Sequence, residues 1–143
     1  MFRKSLARGL VGVIFLALLT PFSAQAAPGV YSFTNAAATG SSGPTQAQIN
    51  TAYTGSTLAG AVTITTQGIQ EWTVPASGSY GFEVAGGHGA ASTGATAGIR
   101  GGRGALITAK RTLTAGTKLY IVVGQAGSAD GSHGGGGGAS FVR

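Results

Sequence analysis

The chain has 143 residues, 27 of them glycine, with no cysteine and only 8% charged residues, against roughly 25% charged in an ordinary globular protein. Three acids and two histidines leave few general acids, bases or metal ligands, and a disulfide framework is excluded. The formal charge of +6 owes Arg3, Lys4 and Arg8 to the amino-terminal segment taken next, and without them it falls to +3, which argues against nucleic acid as a partner.

Met1 to Gly9 is short and basic, Leu10 to Leu19 is apolar, and Ala24, Gln25 and Ala26 form the small-x-small pattern of a cleavage site. This is the layout of a secretory signal over residues 1–26, with Ala27 as the new terminus. Its apolar core is half the length of about 20 residues that a membrane span needs, so no stable span is expected after cleavage. The mature domain runs over residues 27–143 and lies outside the cytoplasm, secreted or at the cell surface.

In chain order, Val30 to Thr34 alternates apolar and polar residues and predicts a first strand, at an edge because Pro28 and Gly29 precede it. Pro44 suits the first turn of a short helix in which Ile49 and Tyr53 share a face, and Gly55 ends it. Ala61 to Thr66 and Ile69 to Val74 predict strands rich in β-branched residues. Val74, Pro75 and a connection containing Gly78 lead to Tyr80 to Val84. Paired as a hairpin, these strands set Val74 opposite Tyr80, Trp72 opposite Phe82 and Gln70 opposite Val84, with Trp72, Val74, Tyr80, Phe82 and Val84 on one buried face. Arg103 to Leu113 and Lys118 to Gly124 predict a second hairpin, turned by Thr114 to Thr117, with Leu119, Ile121 and Val123 on one face. Ala139 to Arg143 opens another strand. Many short strands and no long helix predict an all-β sandwich or barrel.

The glycine tract after the first hairpin has a period. Positions 86, 89, 92, 95, 98, 101 and 104 are all small, and five of them are glycine. Polyproline II repeats every three residues, and one small position in three lets such helices approach backbone to backbone. The tract from Gly124 to Gly138 shows no clean period, because its run of five glycines carries no register.

Several separate stretches resemble, in order, the glycine-rich extracellular region of the anaplastic lymphoma kinase and leukocyte tyrosine kinase family and secreted bacterial relatives. They are YSFTNAAATGSSGPTQAQINTAY, GIQEWTVPASGSYGFEVAGG, LTAGTKLYIVVGQAG and GGGGGASFV, spanning Tyr31 to Val142. The resemblance implies a jelly-roll, tumour-necrosis-factor-like β-sandwich carrying polyproline II segments. It also implies a cysteine pair where this chain has Ala36 and Ile49, whose packing is expected to replace it. Family members continue past the last motif into further strands, so the resemblance implies that the chain is cut short at its carboxyl end. With no transmembrane helix and no kinase domain, receptor signalling does not carry over.

The residues capable of chemistry are few. Glu71 and Glu83 fall opposite each other in the predicted hairpin, about 5 Å apart at Cβ, near the carboxyl separation of a retaining glycosidase. Without a cleft or a third polar partner, they read as surface acids neutralised by Lys110, Arg111 or Arg103. His88, His133 and Asp130 lie in glycine loops without ligand spacing. No phosphate-binding glycine pattern is present. Arg100, Arg103, Lys110, Arg111 and Lys118 make the centre basic, which favours solubility over a dedicated anion site. No catalytic, cofactor or metal residue is assigned, and no enzyme activity is expected. The reading is a non-catalytic structural, adhesive or partner-recognition module that self-associates or binds an extracellular protein or glycan. The alternatives are a carbohydrate-binding or glycoside-hydrolysing domain using exposed Tyr53, Trp72 or Tyr120, and a fragment with no independent function.

Overall fold

A computed structural model describes residues 29–92, 100–130 and 132–143; the predicted signal segment and small positions 95 and 98 of the glycine period lie outside them. One helix, α1 (Gln46–Ala52), precedes six strands: β1 (Val62–Thr63), β2 (Gln70–Thr73), β3 (Gly78–Ala85), β4 (Leu106–Leu113), β5 (Lys118–Val122) and β6 (Phe141–Val142). They form two antiparallel sheets, one ordered β1-β2-β5-β6 and the other β3-β4. The fold is all-β.

Strand pairing differs from both predicted hairpins. Each edge of β2 is already taken, Trp72 standing opposite Val62 on one side and Leu119 on the other. β3 therefore pairs with β4, setting Tyr80 opposite Arg111, Phe82 opposite Ala109 and Val84 opposite Ile107. Val74 is held by the turn ahead of β5, donating to the Thr117 carbonyl at 2.8 Å and accepting from Gly116 N at 2.8 Å. Pro75 has no N–H to extend a ladder, and the chain crosses to the other sheet. The Thr114 to Thr117 turn forms, with Gly116 at φ +86°, but it too connects two sheets.

The apolar face survives this change of partners. Trp72 and Val74 are buried, and Tyr80 and Phe82 pack on the same core, the Tyr80 ring 6.3 Å from that of Trp72. A sandwich buries such a face by stacking sheets, where a hairpin would bury it by pairing strands. Val84 is half-buried but lies outside that cluster. Leu119 and Ile121 are buried as expected, with Val123 packed at the margin.

The predicted first strand is extended chain without a ladder. Its alternation holds, since Tyr31 and Phe33 turn inward to rings 4.6 and 5.9 Å from Trp72 and Val30 is exposed. Its backbone groups go to side chains instead. The Val30 carbonyl accepts from the Thr57 hydroxyl at 2.7 Å, and Thr34 N donates to the Tyr53 hydroxyl at 3.0 Å. That hydroxyl donates to Gln70 Oε1 at 2.6 Å, and Gln70 Nε2 donates to the Thr34 carbonyl at 2.7 Å. Gln70 is fully buried, and this closed ring satisfies it.

α1 starts one residue after its cap. Thr45 and Gln48 form a reciprocal capping box, which covers two otherwise orphaned N–H groups, and Pro44 sits just outside the helix. Ile49 and Tyr53 are buried at i, i+4. Ala36 and Ile49 both belong to the core cluster. Ala36 and Ala37 both take positive φ, +50° and +56°, in a turn closed by Ala38 N donating to the Asn35 carbonyl at 2.9 Å.

Beyond the sheets, both glycine tracts are hairpin arms that continue the strand registers. Ala85 stands opposite Leu106 in the β3-β4 ladder. Next, Gly86 N donates to the Ala105 carbonyl and Gly89 N to the Gly102 carbonyl, each at 2.9 Å. From β5-β6, Gly138 N donates to the Gln125 carbonyl and Gly135 N to the Ser128 carbonyl, each at 2.8 Å. The bonds recur every third residue on both hairpins.

Candidate functional surface

The sequence-derived acid pair is not assembled. Glu71 lies in β2, 8% exposed, with Oε2 2.9 Å from Lys118 Nζ and Oε1 accepting from the Thr65 hydroxyl. Lys118 sits one diagonal step along β5, so the ladder itself presents it. The hydrogen bond to the Glu71 carboxylate, and then its charge, raise the Lys118 pKa above the ordinary lysine value. Glu83 is exposed on the other sheet, opposite Thr108. The base that neutralises Glu71 is thus Lys118, where the sequence pointed to Lys110, Arg111 or Arg103.

Two of the three aromatics offered to a glycan are buried: Tyr53 at 3% and Trp72 at 4% exposure. Tyr120 is half-buried beneath the Arg143 guanidinium, 5.4 Å from its ring centroid. No sugar-stacking platform is made from these rings. Gln70, which organises the core side of β2, carries no sequence signal: a glutamine at an inward position looks like a break in the pattern.

His133 and Asp130 meet at the tip of the β5-β6 glycine hairpin, Nδ1 to Oδ1 at 3.5 Å, and His133 N donates to the same carboxylate oxygen at 3.0 Å. His88 lies on the other hairpin, its Nδ1 2.9 Å from the Gly89 carbonyl. Among the described residues, no group of three metal-ligating side chains forms.

What the chain does build is a surface of interlocked glycine arms. Gly87 N donates to the Gly138 carbonyl and Ala90 N to the Gly135 carbonyl, each at 2.9 Å, and Gly127 N to the His88 carbonyl at 2.8 Å. The arm 86–92 therefore bonds to three neighbours. The predicted period is met on one arm of the first tract: a Cβ on Gly101 would overlap the Gly89 carbonyl and one on Gly104 the Gly86 carbonyl, whereas on the facing arm it is off-period Gly87 that would overlap the Gln125 carbonyl. The second tract has a period too. Cβ atoms on Gly124 and Gly127 would overlap the carbonyls of Gly138 and Gly135, and those on Gly134 and Gly137 the carbonyls of Ala90 and Gly87. Gly102 and Gly136 face open space.

Beside this bundle lies the β3-β4 ribbon. Residues 106–112 of β4 are all exposed, including Leu106 at 61% and Ile107 at 64%. Arg100, Arg103, Lys110 and Arg111 are exposed along the same stretch and form no ion pair among the described residues. No described helix is long and apolar enough to cross a membrane.

No family model matches the chain. Over 106 residues it is 37% identical to the leukocyte tyrosine kinase receptor of Mus musculus, a match that takes in 69% of the chain but 11% of the receptor's length.

Proposed function

We propose that the chain is an extracytoplasmic, non-catalytic module that presents a rigid surface for partner recognition, adhesion or assembly. The observation carrying this reading is the interlocked pair of glycine hairpins, ordered by backbone bonds and projecting from both sheets of a sandwich. Ordering so much glycine costs more backbone entropy than any other composition would, so a fold that does so gains something from a fixed backbone surface. The match to a receptor and the signal-like amino terminus support a place outside the cytoplasm. A jelly-roll topology and polyproline II arms are the finer form of the same proposal. The dispersal of Glu71 and Glu83 to separate sheets and the burial of Trp72 weigh against the glycosidase alternative.

The test is expression of the full chain with its own leader, followed by amino-terminal sequencing, thermal melting and incubation with chromogenic glycosides. Export with Ala27 first, one cooperative transition and no turnover are expected. Retention in the cytoplasm, a coil spectrum without a melt, or hydrolysis abolished by Glu83→Gln would each sink the proposal.

A further inference from the structure

We infer that the free edge of β4 is a docking strand for an extended acidic segment of a partner polypeptide, added to the β3-β4 ribbon by main-chain pairing. This rests on the module reading above and names the class of partner.

Among the described residues β4 pairs with β3 alone. Its eight residues (Leu106–Leu113) offer an edge about 26 Å long, lined by N–H and C=O groups that template another strand. Two-stranded ribbons are marginal by themselves, and a third strand would cover side chains that now face water. The β3 register shows which. Ile107, Ala109 and Arg111 share a face with half-buried Val84, Phe82 and Tyr80, while Leu106, Thr108 and Lys110 share the opposite one. Each face thus carries an exposed aliphatic at one end and an unpaired cation toward the other.

Charge selects the occupant. The acids of the described residues are otherwise placed: Glu71 on Lys118, Asp130 by His133, and Glu83 on β3 opposite Thr108. A second copy is disfavoured, because antiparallel pairing of β4 with itself sets Lys110 and Arg111, which lie near its midpoint, beside their own copies. A segment with two adjacent carboxylates opposite Lys110 and Arg111, and two apolar residues opposite Leu106 and Ile107, meets both faces.

The probe is an eight-residue blocked peptide with two adjacent glutamates near its amino end, two adjacent valines near its carboxyl end and threonine elsewhere. The reversed order tests parallel addition. Titrated into the isotopically labelled full chain, one of the two should shift the amide signals of residues 106–113. Binding should weaken about tenfold in Lys110→Glu/Arg111→Glu, from two exposed pairs lost and reversed, and similarly with lysine in place of glutamate in the peptide. A proline at the peptide's centre should abolish binding. Both variants replace exposed side chains, and Lys110→Ala/Arg111→Ala gives a milder second pair.

The inference is overturned if the folded, exported protein binds neither peptide at about millimolar concentration, if shifts fall on the glycine arms instead, or if charge reversal leaves binding unchanged. Concentration-dependent dimerisation abolished by Ile107→Glu overturns it in favour of a second copy. Failure of the peptide with a cooperative melt intact removes only the strand assignment, whereas failure to fold or be exported removes the module reading as well.

Discussion

Gly101 and Gly102 are neighbours with opposite surroundings, and exchanging each for alanine tests the glycine bundle directly. A Cβ at Gly101 would overlap the carbonyl of Gly89 and come 2.7 Å from that of Ala90. The obstacles are backbone atoms, so relief requires the arms to part and the Gly89 to Gly102 bond of 2.9 Å to break. Overpacking costs about 1–3 kcal/mol and a lost hydrogen bond about 1 kcal/mol. The stiffer unfolded chain returns about 0.4–1 kcal/mol, leaving Gly101→Ala destabilised by about 2–3 kcal/mol. At Gly102 nothing lies within reach of a Cβ and φ is outside the left-handed region, so Gly102→Ala should gain about 0.4–1 kcal/mol. Urea denaturation of the two variants should differ by about 3 kcal/mol. Equal midpoints would refute the packed bundle and leave a loose tract. Gly137→Ala against Gly136→Ala repeats the comparison on the other hairpin, where only Gly137 faces a carbonyl.

Tyr53→Phe removes the hydroxyl between Thr34 N and Gln70 Oε1 and should cost about 1–3 kcal/mol by chemical denaturation; no loss would mean that water takes over the ring. Because the Lys118 pKa is raised, its pair with Glu71 contributes fully below lysine's ordinary value of about 10.4 and is lost as pH rises through the folded pKa. Melting of the parent should therefore fall more steeply than that of Lys118→Met as pH rises above lysine's ordinary value of about 10.4, and parallel curves would refute the pairing. Exposed Ala37, at φ +56°, should gain about 0.5–1 kcal/mol on replacement by asparagine, which tolerates this region, and Ala37→Val should lose stability in the same melt.

Inward faces were legible in the sequence, and strand partners were not. Trp72, Val74, Tyr80 and Phe82 do share a core, because alternation reports the face of each residue. Which strand lies alongside depends on edges filled from afar: β5 begins 45 residues after Trp72's neighbour Thr73. The Glu71 and Glu83 pair failed for that reason, having been inferred from a local hairpin. Gln70 was illegible because its partners, Thr34 and Tyr53, are set by tertiary structure alone. Of the glycine period only part was legible: Gly101 and Gly104 meet facing carbonyls as the spacing implied, but off-period Gly87 meets the Gln125 carbonyl and off-period Gly102 faces open space, because each arm also packs against neighbours that the local spacing does not report. In Gly134 to Gly138 the period was hidden by crowding on two sides. Gly134 and Gly137 face the arm 86–92, Gly135 and Gly138 face residues 124–128, and only Gly136 is open, so both registers are filled with glycine.

The interlocked glycine arms explain how this fold leaves a strand edge free. A strand presents two faces and two edges, and β4 alone would be a poor third of a sheet. Where the strand pairs run on into glycine arms, the chain can bond on more than two sides. The arm 86–92 bonds to three neighbours, 100–105, 124–128 and 134–138, and so clamps the far end of the β3-β4 ribbon to the far end of β5-β6. At its near end the ribbon is fixed by Tyr80 and Phe82 on the aromatic core. Held at both ends, β4 needs no third strand to stay ordered. Loosening the clamp should then be felt at the edge: Gly101→Ala, at a temperature where the sandwich core is still folded, should weaken docking of the acidic peptide to β4, while Gly102→Ala should not. Equal binding by the two variants would mean that the ribbon is held by the core alone.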